Sequence, residues 1–524
     1  MKRRIRAARV GKRCACAAVL GGLIVLGACR VGPKYTPPPA PAPPAFKEAV
    51  PAAYSSAPPG TWQPARPQDA ALKGKWWEIF HEPELNSLED QLNIDNQNIA
   101  LYFQNFMAAR ALVREARAGY FPTLTADPSF NRTRVGRGTS AGYAPSNGAT
   151  GASAVAPSSG SSTFSEISLP FDVSWEPDLW GRIRNSVREY QFAAQVSAAD
   201  LENERLTEQA DLAVYFFELR GQDALQELYN RTIEAYRTSL ELTRTLVETG
   251  IDSPESVAEA DVTLQNADAT AIGIAANRAI YEHAIATLIG KPASGFSMPV
   301  KPLTTPVPAI PVGVPSQLLQ RRPDIAAAER TMAQANAVIG IATAAYYPSL
   351  SLSGSGGVQS SILSKLFSLP ALFWSVGASV SQTIFDAGLR RATVEQYSAS
   401  FNADAASYKQ TVLTAFQQVE DNIAALRVLS EQIAKQDGAI RAAQRYLDIA
   451  MARYQTGLDP YLDVITAQTT LFADQQTQVS LRVSEITAAV QLIQALGGGW
   501  DTSQLPTPAD LNTRGAANPG SGGQ

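Results

Sequence analysis

Cysteine is almost missing from this chain: there are three in 524 residues, Cys14, Cys16 and Cys29. All lie near the N-terminus, so no disulfide scaffold holds the remainder, and stability must come from packing. Histidine is scarcer still. His81 and His283 fall in different expected elements, without paired ligands at metal spacing, which argues against a metal centre. No glycine-rich phosphate loop follows a strand, and no nucleophile elbow occurs, so the chain is not expected to be an enzyme. Long apolar runs are lacking too. The one strongly apolar run, residues 15–26, is too short to span a bilayer as a helix. Finally there is no basic excess: 44 Lys and Arg stand against 48 Asp and Glu, which excludes a nucleic-acid footprint.

What the N-terminus does hold is an export address. Seven basic residues between Lys2 and Arg13 precede the apolar run, the layout of a secretory signal. It ends in Leu26-Gly27-Ala28-Cys29, which resembles the lipobox at which bacterial lipoproteins are cut and acylated. Cys29 is therefore the expected lipidation site, carrying N-acyl and diacylglycerol chains, and no other cofactor is expected. Several acyl chains on one residue exceed the two signals that stable anchoring needs. Arg30 stands where an Asp is the usual inner-membrane retention signal, which favours the outer membrane and contact with its lipid. Losing the signal removes seven cations, leaving 37 basic against 48 acidic residues, a net charge of −11.

The chain is also internally duplicated. Ala118-Gly119-Tyr120-Phe121-Pro122-Thr123-Leu124 returns, with variations, as the run ending Ala345-Tyr346-Tyr347-Pro348-Ser349-Leu350, and Thr249-Gly250-Ile251-Asp252 returns as Thr456-Gly457-Leu458-Asp459. Gly181, Gly250, Val257, Leu264 and Gly290 each recur 207 residues later. Each half holds a proline-free segment of 69 residues, 181–249 and 388–456, rich in good helix formers. At about 1.5 Å per residue each is a rod of roughly 100 Å. Shorter helices are expected after each turn, from about Glu255 to Ile289 and from about Tyr461 to Leu496. Two more are expected ahead of the Tyr-Phe-Pro and Tyr-Tyr-Pro motifs, from about Glu84 to Gly119 and from about Ser316 to Ala345. Val257, Ala260, Leu264, Ala267, Ala271 and Ile274 alternate in steps of three and four, an a/d seam.

Between the helices the period shifts to two. Ile167, Leu169, Phe171, Val173 and Trp175 alternate with polar neighbours and Pro170, as do Trp374, Val376, Ala378 and Val380; weaker strands precede each, at about 123–131 and 349–358. Each half thus offers a hairpin of strands long enough to cross a bilayer in a tilted barrel. The connection between Arg132 and Thr163, rich in Gly, Ser and Ala, suits an extracellular loop. Four strands cannot close a barrel, and open edges in lipid leave backbone groups unpaired. Three subunits giving twelve strands would close one with a usable interior, since about eight strands are filled by their own side chains.

Val314-Pro315-Ser316-Gln317-Leu318-Leu319-Gln320-Arg321-Arg322-Pro323-Asp324-Ile325, then Ala328-Glu329-Arg330 and Ala335-Asn336-Ala337-Val338-Ile339-Gly340, resemble the TolC-like outer membrane factor family, most closely its lipoprotein branch serving resistance-nodulation-division pumps. Trp76-Trp77 and Ala495-Leu496-Gly497-Gly498-Gly499-Trp500 are further landmarks. The resemblance implies an α+β membrane protein: a homotrimer with a 12-stranded barrel, four strands from each subunit, continuous with a helical periplasmic barrel. It implies a passive exit duct for drugs or other small molecules, with a periplasmic adaptor and an inner-membrane transporter as partners. The turns at Gly250 and Asp252, and at Gly457 and Asp459, would meet the adaptor, with glycine ending each long helix and Asp able to cap the next. Leu462, Asp463 and Thr466 map to the family's periplasmic gate, where three Asp463 carboxylates would repel and make closure sensitive to pH and cations.

The expected organisation is a signal peptide at 1–28, an equatorial segment at 29–83, a first repeat at 84–290, a proline-rich linker at 291–315, a second repeat at 316–497, and an equatorial segment with a disordered tail at 498–524. The linker has seven prolines in 25 residues, which forbids a continuous helix. Two other functions fit the same residues: the duct of a type I protein secretion system, and a coiled-coil lipoprotein spacer that forms no channel.

Overall fold

The computed structural model describes residues 30–39, 43, 45–48, 74–135, 162–310, 312 and 315–513. The export signal, Cys29, most of the loop between Arg132 and Thr163, and the expected disordered tail lie outside the described residues.

A short turn, Trp76–Phe80, leads into α1 (Pro83–Asp95) and α2 (Gln97–Ala118). Strands β1 (Thr123–Ala126), β2 (Ser129–Val135) and β3 (Ser162–Trp175) follow, then α3 (Arg182–Glu248) and α4 (Pro254–Leu288). The second half repeats this order with α5 (Pro315–Arg321), α6 (Pro323–Ala344), β4 (Ser349–Ser360), β5 (Leu372–Ser381), α7 (Leu389–Gln455) and α8 (Tyr461–Ala495). A last turn of helix, α9, covers Pro508–Asn512. The repeat is exact in the long elements: α3 and α7 each have 67 residues and α4 and α8 each have 35. Their starts lie 207 apart (Arg182 to Leu389, Pro254 to Tyr461), whereas α2 and α6 start 226 apart (Gln97 to Pro323). The difference of 19 falls in the strand hairpins, where the stretch between β2 and β3 is the longer one.

Three expected continuous elements are broken, each for a local reason. The helix expected over 84–119 parts at Asn96, whose Oδ1 accepts the Ile99 N–H at 2.9 Å and whose Nδ2 donates to Glu208 Oε2 and to the Leu288 carbonyl. The Gly290 backbone presses so close that a β-carbon there would sit 2.4 Å from the Asp95 carbonyl. The helix expected over 316–345 parts at Arg322, because Pro323 lacks an N–H and disfavours helical backbone in the residue before it. The first outer strand is split by Asp127-Pro128, leaving β1 and β2 to pair separately with β3.

Two compact units emerge. One comprises residues up to 35, 112–190 and 335–400, and holds the sheet. All pairings are antiparallel, with β1 and β2 on β3, β3 on β4 and β4 on β5. Register places the apolar residues on one face: Phe171 opposite Gly356, Val173 opposite Gly354, and across the next pair Leu350 opposite Val380. Serines occupy the other face, where Ser351 and Ser379 hydroxyls lie 2.7 Å apart. That apolar face is exposed in the single chain (Trp374 is 77% exposed), the reverse of a soluble sandwich.

The other unit comprises 36–111, 191–334 and 401–524. Its core includes Trp76, Leu85, Leu92, Phe216, Phe217 and Ile285, all fully buried. Between α4 and α5 the described residues of the proline-rich stretch are not helical apart from the short turn Ala293–Gly295, and the stretch is tied down by charge. Arg220 donates to the Pro299 carbonyl at 2.6 Å and pairs with Asp223 and Glu84. Asp223 accepts the Lys301 N–H at 2.9 Å, and Lys301 Nζ reaches Glu82. The seam of α4 packs as its spacing requires: Ala260, Leu264, Ala267, Ala271 and Ile274 are buried with Tyr229, Ile233, Tyr236 and Leu240 of α3.

Candidate functional site at the two helix turns

The α3–α4 and α7–α8 turns are built alike. Each long helix ends on a glycine in left-handed conformation, Gly250 at φ 74° and Gly457 at φ 69°. The Gly250 N–H donates to the Val247 carbonyl and the Ile251 N–H to the Leu246 carbonyl, both at 2.9 Å; Gly457 and Leu458 make the same pair of bonds to Tyr454 and Arg453. This closes the last carbonyls of the helix, and glycine is the residue that adopts the conformation without a β-carbon penalty. Pro254 then begins α4, and Pro460 stands immediately before α8. The turns are neighbours: a β-carbon on Gly457 would lie 3.8 Å from Ile251 Cγ2. Ile251 and Leu458, at matched positions, are exposed.

The aspartates were expected to cap the following helices, and the structure corrects this. The capping positions are Ser253 and Pro460, and neither makes a side-chain cap bond. Asp252 instead collects three donors: the Ser253 N–H at 2.7 Å, Ser256 Oγ at 2.8 Å and Tyr454 Oη at 2.6 Å. Tyr454 belongs to the second repeat, so this bond ties one half of the duplication to the other. Asp459 is held within its own turn by a forked ion pair, Arg453 Nε at 2.5 Å and Nη2 at 2.8 Å. Proline at 460 has no N–H to offer, and Arg453 reaches the carboxylate first.

Behind the turns lies a core of tyrosines. Tyr454 and Tyr461 rings are 5.2 Å apart, Tyr454 Oη is 3.3 Å from Thr243 Oγ1, and Tyr461 Oη is 3.0 Å from Ser239 Oγ. Burial pushes the Asp252 carboxyl up, but bonds from Tyr454, Ser253 and Ser256 outweigh it and hold the group below its ordinary value. Burial and the Asp252 acceptor keep Tyr454 protonated far above the usual tyrosine range. Burial, with Tyr461 and Tyr229 nearby, pushes Tyr236 to about 12. The hydrogen bond from Arg453 holds Asp459 below the ordinary carboxylate value.

Leu462, Asp463 and Thr466 come together on one face of the first turns of α8. Leu462 and Thr466 are exposed and Asp463 is half-buried, while Tyr461, Val464, Ala467 and Gln468 fill the opposite face. Thr466 Oγ1 donates back to the Leu462 carbonyl at 2.8 Å. Arg453 and Tyr454 were not anticipated from sequence. A signal existed: the residues 207 earlier are Leu246 and Val247, so the repeats diverge where the partners of the two aspartates are chosen. Among the described residues no group of three His, Cys, Asp or Glu is placed to hold a metal, and no helix is long and apolar enough to cross a membrane.

A family model described as outer membrane efflux protein matches residues 89–291 and 314–498, both halves of the duplication and well over half of the chain. The chain belongs to the outer membrane efflux protein family. Two Pseudomonas putida relatives support it: the antibiotic efflux pump outer membrane protein ArpC, 31% identical over 93% of this chain and 97% of its own length, and the solvent efflux pump outer membrane protein SrpC, 31% identical over 92% and 98%. The solved outer-membrane channel OprN is similar at a TM-score of 0.78 and 28% identity, covering 90% of this chain and all of its own. This outer membrane efflux protein therefore has the α+β fold of the outer-membrane channels and works at the outer membrane as the channel component of efflux. The sequence run through Arg321-Arg322-Pro323-Asp324, which carries the resemblance, has a structural task. Arg322 Nη1 donates to the Ala495 carbonyl at 2.9 Å at the end of α8, and its other nitrogens pair with Asp324.

Proposed function

We propose that this protein is the passive exit duct of a tripartite efflux pump, assembled as a homotrimer and closed at its periplasmic end by the two helix turns. The observation that carries the reading is the sheet: apolar and exposed on one face, polar on the other, with both edge positions (β1 and β2 on one side, β5 on the other) unpaired among the described residues of a single chain. Such a sheet is stable in lipid only when its edges find partners, and three copies supply the twelve strands that leave an aqueous interior. Cys29 then carries a lipid tether beside a barrel that itself spans the membrane.

The turns supply the closure. The Tyr454–Asp252 bond holds the α7–α8 pair against the α3–α4 pair, and Leu462, Asp463 and Thr466 of three subunits form the ring at the axis. Converging Asp463 carboxylates repel one another and attract cations, so closure responds to ionic conditions. A periplasmic adaptor engages the turns at Ile251 and Leu458, whose exposed side chains offer an apolar contact, and the inner-membrane transporter provides the energy. The duct does no chemistry of its own. The relatives named for antibiotics and solvents point to small amphiphilic or apolar cargo.

The reading is tested by deleting the gene and running a broad susceptibility panel, with cysteines placed at Ile251 and Leu458 to capture the adaptor by cross-linking. Increased sensitivity together with adaptor capture supports the efflux duct. Loss of protein secretion without drug sensitivity would instead identify a type I secretion duct, and no conductance in planar bilayers would leave only a spacer.

A further inference from the structure

Past its apolar band, the outward face of the sheet changes chemistry. Along β3 the residues Ile167, Leu169, Phe171, Val173 and Trp175 share that face, and β5 continues it with Leu372, Trp374 and Val376. Register sets Phe130 opposite Ile167, Arg132 opposite Ser165 and Arg134 opposite Thr163. Alternation therefore places Arg132 and Arg134 on the same outward face as Phe130. Both are exposed, and neither has an ion-pair or hydrogen-bond partner among the described residues.

Their level is set by geometry. The sheet joins its helices at the end marked by Thr123 and Trp175, so the β2–β3 and β4–β5 connections lie at the other, external end. From Trp175 up to Ser165 is ten residues. At about 3.3 Å per residue and a tilt near 40°, the climb is roughly 25 Å, the height of an outer-membrane barrel's apolar band. Arg132 thus leaves the hydrocarbon where the external head groups begin, and Arg134 sits one step beyond.

A second feature marks the same level. Ser360 ends β4 opposite Ile167, and the connection that follows, residues 361–371, exposes Ile362, Leu363, Phe367 and Leu369, the last at 88%. Lys365 stands exposed among them. Apolar side chains interleaved with a cation suit the boundary between acyl chains and head groups, where long basic side chains reach outward.

We propose that Arg132, Arg134 and Lys365 form a cationic rim that binds the phosphate groups of the glycolipid in the external leaflet, with the apolar β4–β5 connection seated among its acyl chains. The inference rests on reading the sheet as part of a membrane-crossing barrel. Lipid is the occupant because the rim continues the lipid-facing band without a break, and because Arg132 and Arg134, on an acidic chain, lie on the outward rather than the lumenal face.

The test uses the purified full-length channel in detergent, with bisphosphorylated lipid A, dephosphorylated lipid A and inorganic phosphate as probes of thermal stability. Lipid A should stabilise the wild type at low concentration. R132Q/R134Q should need at least about tenfold more, and R132K/R134K should recover most of the response. Dephosphorylated lipid should act on wild type and R132Q/R134Q alike. The rim is refuted if R132Q/R134Q responds to lipid A as wild type does, if dephosphorylated lipid serves wild type equally well, or if inorganic phosphate reproduces the effect. Planar-bilayer insertion of each variant is measured alongside. A chain that does not insert and conduct overturns the barrel reading and the rim with it, whereas an inserting R132Q/R134Q with unchanged lipid response overturns the rim alone.

Discussion

The two helix turns begin from the same residues and end with different bonds. Thr-Gly-(Ile or Leu)-Asp closes both, with glycine near φ 70° and the same two backbone bonds in each. Yet Asp252 is clasped by Tyr454 from the other repeat, while Asp459 is clasped by Arg453 from its own. Duplication supplied two identical turns, and divergence outside the motif turned one into a bond between repeats and left the other self-contained. Burial sharpens the contrast, because Tyr454 is buried whereas Arg453 is about half exposed. A hydrogen bond to a charge in a sheltered site contributes more than an exposed ion pair screened by water and salt.

The largest effect should follow Tyr454→Phe. It keeps the ring and removes one donor to Asp252, at a cost of about 1.5–3 kcal/mol. Hydrogen exchange should quicken at the amides of 250–256 and much less at 457–463; equal quickening of both turns would show that they are not separately braced.

Next come Gly250→Ala and Gly457→Ala. Nothing lies within 4 Å of a β-carbon at Gly250, and only Ile251 Cγ2 lies near one at Gly457. The cost is therefore conformational, about 1–2 kcal/mol at either position. Thermal denaturation should give nearly the same loss for both, and a large asymmetry would move the difference between the turns from their braces to their backbones.

Arg453→Gln should cost no more than about 1 kcal/mol, and less at high salt, since the pair is exposed. A salt-independent loss above that would make the two braces equivalent.

The smallest effect is that of pH. Asp252 has a lowered carboxyl value, so its stabilisation is present above the ordinary carboxylate range, near 4, and is lost as pH falls through its folded value. Tyr454 is raised, so its stabilisation holds below about 10 and is lost only above that. Exchange rates at the first turn should stay flat from pH 5 to 9 once corrected for intrinsic chemistry. Any step in that window would point to a titrating group outside the Tyr454–Asp252 pair.

Much of this was legible in the residues themselves. Helix lengths followed from the proline-free spans, the α4 seam from its three-four alternation, and the membrane face from period-two strands, because each is a repeated pattern that chance does not sustain. The breaks at Asn96, Arg322 and Pro128 were less legible, since they depend on tertiary partners or on a single proline inside an otherwise regular run. The braces were hidden for a similar reason. Asp252 and Asp459 end the same Thr-Gly-(Ile or Leu)-Asp motif, and only folding reveals that a tyrosine 202 residues away reaches the first. Local capping was the economical expectation, and a distant donor displaced it.

The central claim is that the Tyr454–Asp252 bond helps keep the periplasmic end of a trimeric duct closed. Single-channel conductance in planar bilayers tests it most directly, comparing the full-length wild type with Tyr454→Phe. A trimer that conducts weakly as wild type and opens to a larger conductance in the variant is the expected result. Equal conductance from both, in a variant whose first turn has demonstrably loosened, would contradict it.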